Sequence, residues 1–133
     1  MARLTTASDL DGQDFSSQIG LNARIIDYRY RQLAPHFHGK SCLEFGCADG
    51  RGLDVLLSCF EEVTAIDGSK RRLDEVRTLF PSPKLTLAES MFEHLALGRT
   101  FDTVVMGHVL EHVDDPAAVI KVGIKHMAKD GVL

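Results

Sequence analysis

Apolar positions along the chain recur with two periods that alternate. Ile26, Tyr30, Leu33 and Phe37 fall at i, i+4, i+7 and i+11, which predicts an amphipathic helix over residues 20–33, ending before Pro35. Cys42, Leu43 and Phe45 then read as a short buried strand that breaks into a tight turn at Gly46, Gly50 and Gly52. Leu53, Leu56, Leu57 and Phe60 return at i, i+3, i+4 and i+7, one face of a second helix. Residues 62–67, EVTAID, form a β-branched strand ending in a carboxylate. Leu73, Val76 and Phe80 predict a helix over residues 69–80, stopped by Pro81 and Pro83. Residues 84–88, KLTLA, alternate as a half-buried third strand does. Residues 103–106 are apolar enough for a central strand of a parallel sheet. Asp115 with Pro116 is a helix start, and Ile120, Gly123, Ile124 and Met127 give that helix its apolar face. Lys129-Asp130-Gly131 reads as a turn, with Val132-Leu133 opening a fifth strand. Residues 1–18 are polar and read as a tail or loosely held lid, leaving residues 19–133 as one domain.

Composition narrows the classes. A hydrophobic fraction of 44% and a charged fraction of 26% are those of an ordinary globular domain. The net charge of −4 comes without a basic stripe, so no nucleic-acid surface is expected, and Lys70-Arg71-Arg72 reads as a solvated helix face. The first twenty residues lack a signal-type apolar core and no stretch is long enough to cross a bilayer. Cys42, Cys47 and Cys59 have neither metal-type spacing nor an even count, which fits reduced thiols and a cytoplasmic location. Cys47 stands near a helix N-terminus, where a thiol pKa can fall, yet it reads as inert packing.

The chemistry concentrates in residues 40–52, KSCLEFGCADGRG. A strand that passes through glycines into a helix lets backbone N–H groups approach a ligand closely, a cradle for a nucleotide or cofactor. The order is not the G-x-G-x-x-G of a dinucleotide site. Glu44 and Asp49 flank the turn, where carboxylates would repel a pyrophosphate but suit a ligand carrying an ammonium and a sulfonium. At these residues the chain resembles the Rossmann-like (class I) S-adenosylmethionine-dependent methyltransferases, whose first motif runs E/D-x-G-x-G-x-G; Ala48 stands where that motif has glycine. A generic glycine turn is the alternative. Asp67 lies about 20 residues past the first glycine, at the end of the next strand, where an acid can accept two hydrogen bonds from ribose hydroxyls. The other reading of Asp67-Gly68-Ser69 is a helix cap.

A second signature, residues 101–116 (FDTVVMGHVLEHVDDP), resembles the branch of that family containing the quinone-biosynthesis methyltransferases and many small-molecule O- and N-methyltransferases. The resemblance implies a doubly wound, mostly parallel α/β sheet with helices on both faces, its C-terminal strands missing. S-adenosyl-L-methionine would lie across the carboxyl ends of the first, second and fourth strands. Glu44, Gly46, Cys47, Ala48 and Gly50 would meet the cofactor at the turn, Asp67 and Gly68 at the ribose, Glu89, Ser90 and Met91 at the adenine, and His108 near the methyl group. The Glu89 side chain and the Ser90 backbone N–H fall on the adenine-reading positions, and Met91 or Phe92 packs either on the adenine face or as core. Tyr28 or Tyr30, on the helix before the first strand, would line the methionine end or serve as packing; His36 and His38 read as exposed and idle.

The implied activity is methyl transfer to a small-molecule O, N or C acceptor. His108 and His112 are the candidate bases for the acceptor proton, with a structural role in the Leu-Glu-His turn as the alternative for His112. His108, Glu111 and His112 also resemble a Glu-x-x-Glu-His metal element, which gives a divalent-metal-dependent methyltransferase as a variant reading. The chain stops at Leu133, short of the strands with which the family closes its sheet. A piece of a longer protein, a cofactor-binding domain without turnover, or a homodimer through the open sheet edge is therefore expected. Nicotinamide-dependent oxidoreduction is the remaining class; the glycine order disfavours it, and so does the lack of a Tyr/Lys pair after the fourth strand.

Overall fold

Strand β1 (Ser41–Phe45) is buried at every position and pairs in parallel on both sides. The computed structural model describes residues 21–133, so the polar tail predicted at 1–18 lies outside the described residues. Beside β1 stand β2 (Glu62–Asp67), β3 (Leu85–Glu89), β4 (Phe101–Val105) and β5 (Met127–Val132), in the order β3-β2-β1-β4-β5. All four pairings are parallel. Helices α1 (Leu21–Leu33), α2 (Leu53–Cys59), α3 (Lys70–Leu79) and α4 (Pro116–Lys125) run between or before them. The chain steps outward from β1 to β3, then crosses back to place β4 on the other side of β1. The loops leaving the carboxyl ends of β1 and β4 diverge there, and that topological switch is where open α/β sheets hold ligands.

The two-residue period of the strands divides the core in two. Cys42, Val63, Ala65 and Val105 face Tyr30 of α1, Leu53 and Leu56 of α2, and Leu73 and Val76 of α3. Leu43, Phe45, Ile66 and Val104 face Val119 of α4 and Leu95 and Val109 of the loops. Fully burying each large apolar side chain is worth about 1.5–3 kcal/mol, so helices cover both faces as the motif-level reading expects. Ser69 caps α3, its Oγ accepting from Arg72 N at 3.3 Å. Asp115 caps α4, its Oδ1 accepting from Ala118 N at 3.0 Å with Pro116 at the first helical position.

The amino ends of β1 and β4 are locked by Asp102. Its Oδ2 accepts from the N–H groups of Lys40 (2.7 Å) and Ser41 (3.0 Å) and from the Ser41 hydroxyl (3.0 Å). Those donors favour the charged form and hold the carboxyl below its usual range. Buried His126 makes a second tie. Leu97 N–H donates to Nε2 at 3.2 Å, so the proton sits on Nδ1, 2.8 Å from the Val122 carbonyl.

Several expectations are corrected. Arg72, read as part of a solvated face, is buried; Ile124, read on the apolar face of α4, is exposed, and Met127, read on the same face, lies beyond that helix in β5. The predicted turn at Lys129-Asp130-Gly131 is absorbed into β5, which starts at Met127. Phe101 pairs with Met127 but Thr103 with Val132, so a short step on β4 faces a longer one on β5, a bulge. Gly131 permits it, because a Cβ there would stand 2.8 Å from the Asp102 carbonyl oxygen. Leu33, predicted on the apolar face of α1, is exposed where the chain turns into a 3-10 segment around Pro35.

Candidate functional site

The loop after β1 adopts backbone conformations that select its residues. Gly46 (φ +73°) and Gly50 (φ +82°) are left-handed, and so is Ala48 (φ +46°), at a cost of about 1 kcal/mol for a residue with a Cβ. A Cβ on Gly46 would lie 2.8 Å from Val109 Cγ2, so this glycine lets the loop lie against the one that follows β4. Cys47 is buried, and burial, with Glu44 and Asp67 nearby, pushes its thiol pKa well up, as suits inert packing.

Asp67 ends β2 directly beside this loop. Its Oδ2 accepts from Ala48 N at 3.1 Å and its Oδ1 from Ser69 N at 2.9 Å. The cap of α3 belongs to Ser69, and Asp67 instead ties the two loops together. Glu89 lies opposite Asp67 in register and is exposed at the rim. The Ser90 N–H donates to the Asp67 carbonyl at 3.1 Å, so the backbone donor expected to read adenine is already engaged. Met91 is half-buried. Phe92 packs on Phe45, with centroids 5.7 Å apart, and acts as core. Gly68 is buried between Asp67 and Ser69.

Glu44 is the most unusual group in the crevice. It is 1% exposed, its Oε1 accepts from the Tyr30 hydroxyl at 2.5 Å, and its Oε2 is buried with no hydrogen-bond partner. Burial pushes the Glu44 carboxyl up to about 7; the Tyr30 bond pulls the other way and the Asp67 charge adds to the rise. Burial and the Glu44 charge raise the Tyr30 hydroxyl too, so it stays a neutral donor. The Tyr30 ring fills the gap between the loops on either side of the switch point. A Cβ on Gly52 would stand 2.3 Å from the ring, and one on Gly107 would stand 2.7 Å from the hydroxyl. Tyr28, the other predicted aromatic, points outward and is 63% exposed. His36 and His38 are exposed, as expected.

His108 occupies the loop after β4 in a left-handed conformation (φ +59°). Arg29 Nη1 of α1 lies 3.0 Å from its Nε2 and 3.3 Å from its Nδ1, and Glu111 Oε1 lies 3.3 Å from Nδ1. His112 is half-buried, its N–H donating to the Val109 carbonyl at 2.9 Å. Ligands at i and i+4 need a continuous α-helix, and Leu110–His112 is a single 3-10 turn that begins after His108. His108, Glu111 and His112 therefore do not assemble, and no three metal-type side chains converge among the described residues. Arg29 escapes sequence reasoning, since an exposed arginine breaks no apolar period.

A profile for a methyltransferase domain matches residues 18–133. The chain belongs to this methyltransferase-domain family. Its relatives in the family include the ubiquinone biosynthesis O-methyltransferase of Actinobacillus pleuropneumoniae, 30% identical over 85% of this chain and 51% of that protein. A probable S-adenosylmethionine-dependent methyltransferase of Mycobacterium tuberculosis is 28% identical over 78% of this chain and 38% of its own length. The chain thus spans about half or less of these curated relatives. The methyltransferase-domain fold is shared with the N-methyltransferase NodS from Bradyrhizobium japonicum in complex with S-adenosyl-L-homocysteine. That pair has TM-score 0.79 and 19% identity, over 92% of this chain and 66% of that one. It is shared too with the glycopeptide N-methyltransferase MtfA complexed with S-adenosyl-L-methionine, at TM-score 0.70 and 23% identity, over 79% and 51% of the two chains. Among the described residues no helix is long and apolar enough to cross a membrane.

Proposed function

We propose that this domain binds S-adenosyl-L-methionine and transfers its methyl group to a small-molecule acceptor in the cytoplasm. The observation that carries the reading is the orphaned Glu44 oxygen. A buried carboxylate oxygen without a partner is costly, and a ligand ammonium group would offset that cost. Around it, Asp67 ends β2 beside the glycine loop and is assigned the ribose, and Tyr30 closes the end beside Glu44. When bound, the cofactor supplies an electrophilic methyl carbon on a sulfonium. The protein's remaining tasks are to align the acceptor, exclude water and remove its proton. His108, on the loop where β1 and β4 part, is assigned the proton. His112, held in the neighbouring turn, is the second histidine to test. Glu89 and Met91, at the rim beside Asp67, are assigned to the adenine, while Ser90 serves the sheet.

Calorimetry with S-adenosylhomocysteine and with NAD tests the cofactor. Binding of the first alone, weakened at least tenfold in Asp67→Ala, is the expected result; no binding would overturn the reading. Release of S-adenosylhomocysteine when acceptors are supplied tests turnover.

A further inference from the structure

The contact between Arg29 and His108 is unusual in its geometry. One Nη1 lies 3.0 and 3.3 Å from the two ring nitrogens. Cε1 stands between those nitrogens in the ring plane, so an atom in that plane at such distances would collide with it. Nη1 therefore lies over the face of the imidazole, as a cation lies over a π-system. That leaves the ring's in-plane edges clear of Arg29. At one of them Nδ1 lies 3.3 Å from Glu111 Oε1, a carboxylate that favours a proton on Nδ1 and leaves Nε2 with a lone pair. The other carboxylate close in sequence, Asp27, is taken by Arg31 at 2.8 Å. Among the described residues Arg29 has no carboxylate within ion-pair range, although guanidinium forks are built for carboxylates and phosphates.

We propose that Arg29 is a positioning residue for His108 and an anchor that selects acceptors carrying a negative charge; this rests on the methyl-transfer reading above. Stacked on the ring, with Glu111 at Nδ1, Arg29 presents the Nε2 lone pair towards the acceptor. His108 Nε2 takes the proton as the acceptor O–H or N–H bond breaks; the electron pair left on the acceptor would then bond the methyl group that bound S-adenosyl-L-methionine supplies, the carbon–sulfur bond breaking with its pair left on sulfur. His108 then becomes a cation against the Arg29 cation. A carboxylate on the acceptor engages the guanidinium and removes that repulsion, whereas a neutral acceptor leaves it in place.

The test is nitrogen NMR of the whole chain labelled at histidine and saturated with S-adenosylhomocysteine, with His108 assigned through His108→Gln. Benzoate and benzyl alcohol serve as charged and neutral probes. In the wild type His108 is expected as the Nδ1–H tautomer, and benzoate should shift its signals at a concentration at least tenfold lower than benzyl alcohol does. Arg29→Gln should abolish the difference, Arg29→Lys should keep part of it, and S-adenosylhomocysteine affinity should stay within twofold in both. Equal response to the two probes, an Nε2–H tautomer, or a tenfold loss of S-adenosylhomocysteine affinity in Arg29→Gln would each overturn the proposal. The last would assign Arg29 to the cofactor. Failure of the wild type to bind S-adenosylhomocysteine would instead remove the methyl-transfer reading beneath it.

Discussion

Tyr30 donates its hydroxyl proton to Glu44 across 2.5 Å, tying the helix that precedes the sheet to the sheet's central strand. Both residues are buried, so neither can turn to water if the other is lost. Tyr30→Phe leaves the carboxyl without its one protein partner and should lower stability by about 1–3 kcal/mol. Urea denaturation at pH 7 measures it.

Glu44 also sets a pH dependence. Its folded pKa is raised to about 7, above the ordinary carboxyl value, so the folded state holds a proton that the unfolded chain gives up. Its contribution to stability is full below the unfolded value and is lost as the pH rises through about 7. The ligand-free protein should therefore lose about 2–3 kcal/mol of Glu44-linked stability between pH 5 and pH 8. Glu44→Gln should flatten that slope; an unchanged slope counts against a protonated Glu44.

Ala48 occupies a left-handed conformation that glycine adopts freely. Ala48→Gly should stabilise the fold by up to about 1 kcal/mol, the relief of strain outweighing the extra freedom of the unfolded chain. Melting curves should move up by about 3–5 °C.

Gly52 is kept bare by the Tyr30 ring, 2.3 Å from where its Cβ would be. Gly52→Ala should cost about 1–3 kcal/mol through overpacking. Combined with Tyr30→Ala, which empties that space, the added cost should largely vanish, so a double-mutant cycle should show strong non-additivity.

Asp102→Ala removes three hydrogen bonds that hold the starts of β1 and β4 together, and should cost about 2 kcal/mol. The depressed Asp102 pKa makes its contribution present above the ordinary aspartate range and lost as the pH falls through the lowered value. The mutant's deficit should accordingly shrink in acid.

Much of this was legible in the chain because it is local. The order of strands and helices follows from apolar periods, and the cap at Asp115 from the neighbouring Pro116; the cap of α3 was expected from Asp67 and falls to Ser69. The glycine turn and Asp67 declare themselves by spacing. What stayed hidden is tertiary. Arg29 and His108 are far apart in sequence, and nothing in either residue's neighbours marks the contact. Tyr30 was legible as an inward residue of α1, but not as the donor to Glu44. The spacing of His108, Glu111 and His112 misleads because it presumes a helix, whereas His108 sits in a left-handed bend before a short turn. The fifth strand was expected only from Val132; its start at Met127 eluded the pattern because a bulge breaks the alternation on which strand recognition depends.

Parallel pairing of β1 with β4 joins Cys42 to Thr103, the widest separation in sequence of any pair within the inner sheet. Closing so long a loop is entropically the slowest association available to this chain. The pairings of β1 with β2 and of β2 with β3 join nearer segments, so they should form early and the seam beside β4 last. His108 follows that strand, so the pocket's two walls should remain strangers until folding is nearly over.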